Sequence, residues 1–170
     1  MLHRNKISFK YLPIILLFTS CSFEPLYLQK NNVNISTLES HVDIKVSNNR
    51  IDQIFRNSLL EHFGSYINQQ KLFFLDFNIN KSVVPLAFRS DKTVTRFNVV
   101  IQCSYSLKKI ENGELLTSGS LNSIASYSVV LSEYANLSAA KDAEERAVLD
   151  ISKRVSRLIG VYFSNFNHQN

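Results

Sequence analysis

The chain has 170 residues, with 19 Lys+Arg against 14 Asp+Glu and two cysteines. Arg4, Lys6 and Lys10 precede Cys21 and no acid does, so the remainder carries 16 basic against 14 acidic residues, a balance of +2. That near-neutrality argues against a nucleic-acid binder, and the roughly 150 residues left suit one domain with a core of its own.

The three cations are followed by the apolar run Tyr11-Leu12-Pro13-Ile14-Ile15-Leu16-Leu17-Phe18 and by the small residues Thr19-Ser20. This is the order of a secretory signal peptide over residues 1–20. A membrane-spanning helix needs about 20 apolar residues, and this run is shorter and interrupted by Pro13. Leu17-Phe18-Thr19-Ser20-Cys21 resembles a lipobox, with Phe18 where leucine is usual. On that reading the Cys21 thiol receives diacylglycerol, and the mature chain hangs from a membrane by acyl chains worth about 0.8 kcal/mol per buried methylene. The competing reading is a plain secretory signal with an incidental cysteine.

Residues 21–40 show no sustained period and read as the lipidated N-terminus and a tether. His41 to Val46 alternates as a short strand. Asn48-Asn49 can cap the helix that follows, in which Ile51, Ile54, Phe55, Leu59 and Phe63 form one apolar stripe, and Gly64 supplies a stop. Leu72 to Ile79 alternates again, with Phe73, Leu75, Phe77 and Ile79 on one face. Pro85 makes Val83 to Lys92 a loop or an edge, because a central strand does not tolerate a missing donor.

Alternation resumes from Thr93 to Lys108, turns at Asn112-Gly113, and continues from Leu115 to about Val130. Asn-Gly between alternating runs predicts a hairpin with a type I′ turn. Cys103 falls on the apolar face with Val99, Ile101, Tyr105 and Leu107, which reads as a buried inert thiol in preference to a reactive or metal-binding one. The second strand carries Ser118, Ser120, Asn122, Ser123, Ser126 and Ser128, so one face is either solvated or covered by something wet or sugar-like. Beyond Ser132 a helical stripe runs through Ala140, Ala143, Ala147, Val148, Ile151, Val155, Leu158, Ile159 and Tyr162, with Lys141, Glu144, Glu145, Arg154 and Arg157 turned largely outward. Residues 164–170 read as a flexible tail.

The order β-α-β-β-β-α over residues 41–163 predicts an α+β two-layer sandwich, two helices packed on one face of a four-stranded sheet. No chemistry stands out. The histidines His3, His41, His62 and His168 lack metal-ligand spacing, there is no nucleophile elbow or phosphate loop, and Glu144-Glu145 diverge on a helix as solvated surface. No metal, cofactor or catalytic residue is expected, and the function should be binding or assembly.

Three stretches together resemble the LptE family of lipopolysaccharide-assembly lipoproteins in its alphaproteobacterial form. They are Cys21-Ser22-Phe23-Glu24-Pro25-Leu26-Tyr27; Arg56-Asn57-Ser58-Leu59-Leu60; and the run from Phe88-Arg89-Ser90-Asp91 through Thr95-Arg96-Phe97 to Ala125-Ser126-Tyr127 and Tyr134-Ala135. Ala140-Lys141-Asp142-Ala143-Glu144-Glu145-Arg146-Ala147 continues the match. The resemblance implies an outer-membrane lipoprotein, lipid-anchored on the periplasmic side, that plugs the lumen of the LptD β-barrel and helps place lipopolysaccharide. It further implies lipopolysaccharide contacts at Arg89 and Lys141, since Arg pairs with phosphate through a fork and Lys as a point charge. Lys92 and Arg96 are added by proximity alone. The other reading is a periplasmic ligand-binding or auxiliary lipoprotein of an envelope transport system.

Overall fold

The computed structural model describes residues 35–64 and 70–169; the signal segment, Cys21 and most of the tether lie outside the described residues. In chain order the elements are α1 (Ile35–Ser40), β1 (Val42–Ile44), α2 (Arg50–Phe63), β2 (Phe73–Phe88), β3 (Val94–Lys109), β4 (Leu115–Ser128) and α3 (Glu133–Gln169). The sheet has the order β1-β2-β3-β4, with β1 parallel to β2 and the other neighbours antiparallel. Both long helices pack on one face of it, giving the expected two-layer α+β sandwich.

Local chemistry sets the element ends. The Asn49 side chain accepts from the Ile51 N–H, and Gly64 takes the left-handed conformation (φ 57°) that closes α2. Ile51, Phe55, Leu59 and Phe63 are buried as one stripe. Phe55 meets Phe77 with ring centroids 4.7 Å apart, an arrangement that adds about 1 kcal/mol to the area buried. The inner sheet face supplies Leu75, Val99, Ile101, Cys103 and Leu107, and α3 closes the core with Ala143, Ala147, Ile151, Val155, Ile159 and Phe163. Between the two helices the hydroxyls of Ser58 and Ser152 share a buried 2.7 Å hydrogen bond, so neither is left unsatisfied.

Five expectations change in detail. Residues 35–40, read as the end of a tether, form a short helix whose Leu38 packs on the core while Glu39 and Ser40 are buried. The second strand does not stop near Ile79 but runs through Pro85 to Phe88, paired with β3 throughout and bulged between Pro85 and Phe88. Lys45 N–H donates to the Leu75 carbonyl and Lys45 Nζ to that of Phe77, so odd-numbered residues of β2 turn their backbone groups away from β3. Pro85 shares that parity, and its missing N–H costs the ladder nothing. Proline therefore marks an edge, one of the two outcomes anticipated.

The hairpin at Asn112-Gly113 forms, but not through a type I′ turn. Lys109 N–H bonds the Glu114 carbonyl, Gly113 N–H bonds that of Lys109, and only Gly113 has positive φ (70°). A type I′ turn would need Asn112 there as well. The last helix continues through residues 164–169, because no proline or glycine stops it and Phe166 meets Tyr162, one turn back, in a tilted ring contact at 6.2 Å. Finally, Glu144 points inward.

Candidate functional site

Three surfaces carry polar chemistry: the open sheet face, the β2–β3 turn, and a groove at the start of α2. The face turned away from the helices presents Asn78, Asn80 and Ser82 on β2, Gln102 and Ser104 on β3, and Ser118, Ser120 and Asn122 on β4, all exposed. No described element covers it. Ser126 Oγ donates to Asn98 Oδ1 at 2.6 Å, and Lys45 pairs with Asp76 at 2.8 Å. That hydrogen bond from Lys45, opposed in part by desolvation, holds the Asp76 carboxyl below its ordinary range. A shallow depression of about 200 Å³ lies beside the pair, lined by Asn78, Ser104 and Ser106. Val84 and Ile124 are exposed apolar exceptions on the same face.

Arg89 and Lys92 stand in the turn after β2. Arg89 N–H bonds the Thr93 carbonyl, Lys92 N–H bonds that of Arg89, and Lys92 adopts φ 66°. Asp91 fixes the turn by accepting from Thr93 Oγ1 (2.6 Å) and N–H (2.9 Å), and those bonds keep its carboxyl below the usual range. Arg96 is exposed on β3, opposite Ala87 and Ser128. These three cations share one end of the sandwich. Lys141 does not join them: it lines the groove on the helix side with Val83 and Val99, before the bulge that leads to the turn.

That groove, about 300 Å³, is where the carboxylate pair departs from expectation. Glu144 is buried and accepts from Arg50 at 2.5 Å and Lys81 at 2.7 Å, while Glu145 stays exposed and reaches Arg50 at 3.5 Å. Burying a carboxylate is costly unless it is paired, and two cations from α2 and β2 supply the pairing. The spacing Ala140, Glu144, Ala147, Ile151 already put Glu144 on the apolar stripe; its identity as an acid obscured the position. Arg50 and Lys81 were not singled out, and no local signal joins residues 94 and 63 positions from Glu144.

Cys103 is fully buried and its thiol is pushed up to about 12 by that burial. His41 Nδ1 lies 2.8 Å from the Gln70 carbonyl, and His62 is exposed on α2. Among the described residues no three His, Cys, Asp or Glu side chains lie together as a metal site, and no helix is long and apolar enough to cross a membrane.

A four-stranded mixed sheet with helices on one side and a bare polar side defines an open-faced α+β sandwich. That fold is shared with solved bacterial lipoproteins. A lipoprotein of Caulobacter crescentus superposes with a TM-score of 0.64 at 15% identity, covering 76% of this chain and 96% of the other. Rare lipoprotein B from Shewanella oneidensis gives 0.60 at 9% identity, covering 75% and 97%. A minor lipoprotein from Acinetobacter baumannii gives 0.50 at 10% identity, covering 71% and 88%. No family model matches the chain, and no curated protein matches its sequence.

Proposed function

We propose that this chain is an LptE-like lipoprotein of the outer membrane, anchored through Cys21 on the periplasmic side. It plugs the lumen of an LptD-like β-barrel and assists assembly of lipopolysaccharide. The observation that carries the reading is the open sheet face. It is long, built on strands of 14 to 16 residues, and lined by serine, asparagine and glutamine. A barrel lumen is polar, and such a face matches it where an apolar one would not. The fold shared with lipoproteins supports the anchored placement, and the resemblance in sequence supplies the particular partner.

Two measurements test it. Purification from membranes in mild detergent should bring down a large β-barrel; recovery of the chain alone, or from the inner membrane, overturns the proposal in favour of an auxiliary lipoprotein of a transport system. Replacing Arg89 and Lys141 with glutamate should weaken lipopolysaccharide binding about tenfold or more and leave the barrel complex intact, since each lost charge-assisted contact is worth about 1.5–3 kcal/mol. Because Arg89 stands in the β2–β3 turn and Lys141 on α3 with no shared partner among the described residues, their separate effects should add. Unchanged binding in the double variant removes the phosphate-pairing role.

A further inference from the structure

The outer edge of β2 has two unlike parts. Over Phe73–Leu75 it is taken by β1, and Lys45 occupies the carbonyls of Leu75 and Phe77. From Ile79 to Val83 the alternation turns the backbone groups of Ile79, Lys81 and Val83 away from β3, and no described group bonds them. A row of unpaired N–H and C=O groups is a template for another strand. On the opposite edge two outward carbonyls are taken: Arg146 donates to that of Ser126 at 3.2 Å and Arg154 to that of Asn122 at 2.8 Å. Lysine at an edge ordinarily blunts pairing, yet the Lys81 amine is drawn inward to Glu144.

Beside this open edge, helical cover of the inner face ends. Helix α2 begins at Arg50, which meets Glu144 together with Lys81. One step beyond, Val83 is 47% exposed although it shares the inner face with Leu75 and Phe77. The resulting groove has an apolar wall in Val83 and Leu137 and three cations, Arg50, Lys81 and Lys141. Both oxygens of Glu144 are already engaged by the first two. Lys141 has no hydrogen bond or ion pair among the described residues, so the groove has a cation to spare.

We propose that the β2 edge from Ile79 to Val83 receives an extended segment of a partner protein as an added strand. An acidic and an apolar side chain of that segment, two residues apart, turn into the groove beside Lys141 and Val83. The unmet groups decide the class of occupant: they alternate donor and acceptor along a line, which an extended main chain matches. A phosphate group offers only acceptors and leaves the outward carbonyls unmet. Lys141 is the amine that the proposed function gives to a phosphate, so strand and lipid exclude each other there; the strand addition rests on the β2 edge and does not depend on the barrel assignment.

The test is a titration of the full chain in detergent with three blocked peptides. The first is Thr-Val-Thr-Asp-Thr-Val-Thr; the second has lysine for the aspartate; the third keeps the first sequence but is N-methylated at alternate residues. Binding and amide hydrogen exchange are read together. The acidic peptide should slow exchange at Ile79, Lys81 and Val83 about tenfold. The lysine form should bind about tenfold more weakly, a difference of about 1.4 kcal/mol, and the N-methylated form should not protect at all. Val83→Pro, which removes an outward donor as Pro85 already does, should abolish protection with circular dichroism and thermal unfolding preserved; if it misfolds, the N-methylated peptide alone decides. Equal binding of that peptide, no protection by the acidic peptide at about 1 mM, or pairing of this edge with a second copy of the chain overturns the proposal.

Discussion

Single side chains show most directly how burial and pairing decide between fold and function. Cys103 lies on the inner face of β3 among Val99, Ile101 and Leu107, and desolvation keeps its thiol protonated. Iodoacetamide at pH 8 should therefore label Cys103 only when denaturant opens the core, as peptide mapping will show; labelling of the native chain would place the thiol at the surface. Glu39 has the same physics with a visible consequence. Burial in α1 pushes its carboxyl from the ordinary 4.5 up to about 7. Between those values the folded chain keeps a proton that the unfolded chain has lost, so stability falls as pH rises from about 4.5 to about 7, by about 3 kcal/mol in all. Urea titrations at pH 5 and pH 8 should show that loss, and Glu39→Gln should nearly erase it; an equal slope in both proteins would assign the loss elsewhere. Glu144 illustrates the limit of reading residues one at a time. Its place on the stripe was legible from spacing, whereas its cations come from elements that only the folded sheet brings together.

Among the elements, both long helices and the β3–β4 hairpin could be read from periodicity and caps, because Asn49, Gly64 and Gly113 act locally. The full length of β2 could not. Its second half pairs on one side only, and an edge segment need not repeat the strong alternation of a covered strand. The same asymmetry explains the arginines of α3. Arg146 and Arg154, each paired four residues back to Asp142 and Asp150, lean over β4 and occupy carbonyls that would otherwise invite pairing. Exposed ion pairs of this kind contribute about 0–1 kcal/mol, so their effect lies elsewhere. Replacing both arginines with alanine should lower stability by no more than about 2 kcal/mol, about 1 for each pair, and should produce concentration-dependent association by light scattering. A double variant that stays monomeric at high concentration would show that β4 is guarded by other means.

At the scale of the molecule, the sandwich was legible because every covered element has one apolar face, and two layers are the simplest way to bury them. Which surface does the work was less so: a serine-rich face looks the same in sequence whether water or a partner covers it. The cations Arg89, Lys92 and Arg96 cluster as their spacing suggested, while Lys141 is carried to the other layer by the crossover from β4 into α3. The ends of the body are also distinct. Helix α1 leads directly into β1, whose Val42 pairs with Phe73 at the start of β2, and Phe73 meets Phe163 with ring centroids 5.0 Å apart; the β2–β3 turn closes the other end.

Strands of 16 residues make a rod about 50 Å long, whereas the hydrocarbon slab of a bilayer is about 30 Å thick. On the proposed function, a plug of those proportions seated lengthwise in a barrel would stand in two aqueous compartments at once, its folded body shielded from lipid by the barrel wall. On that same reading, an anchor preceding α1 would leave the basic turn as the part of the chain that emerges on the far side, delivered there by strand length alone.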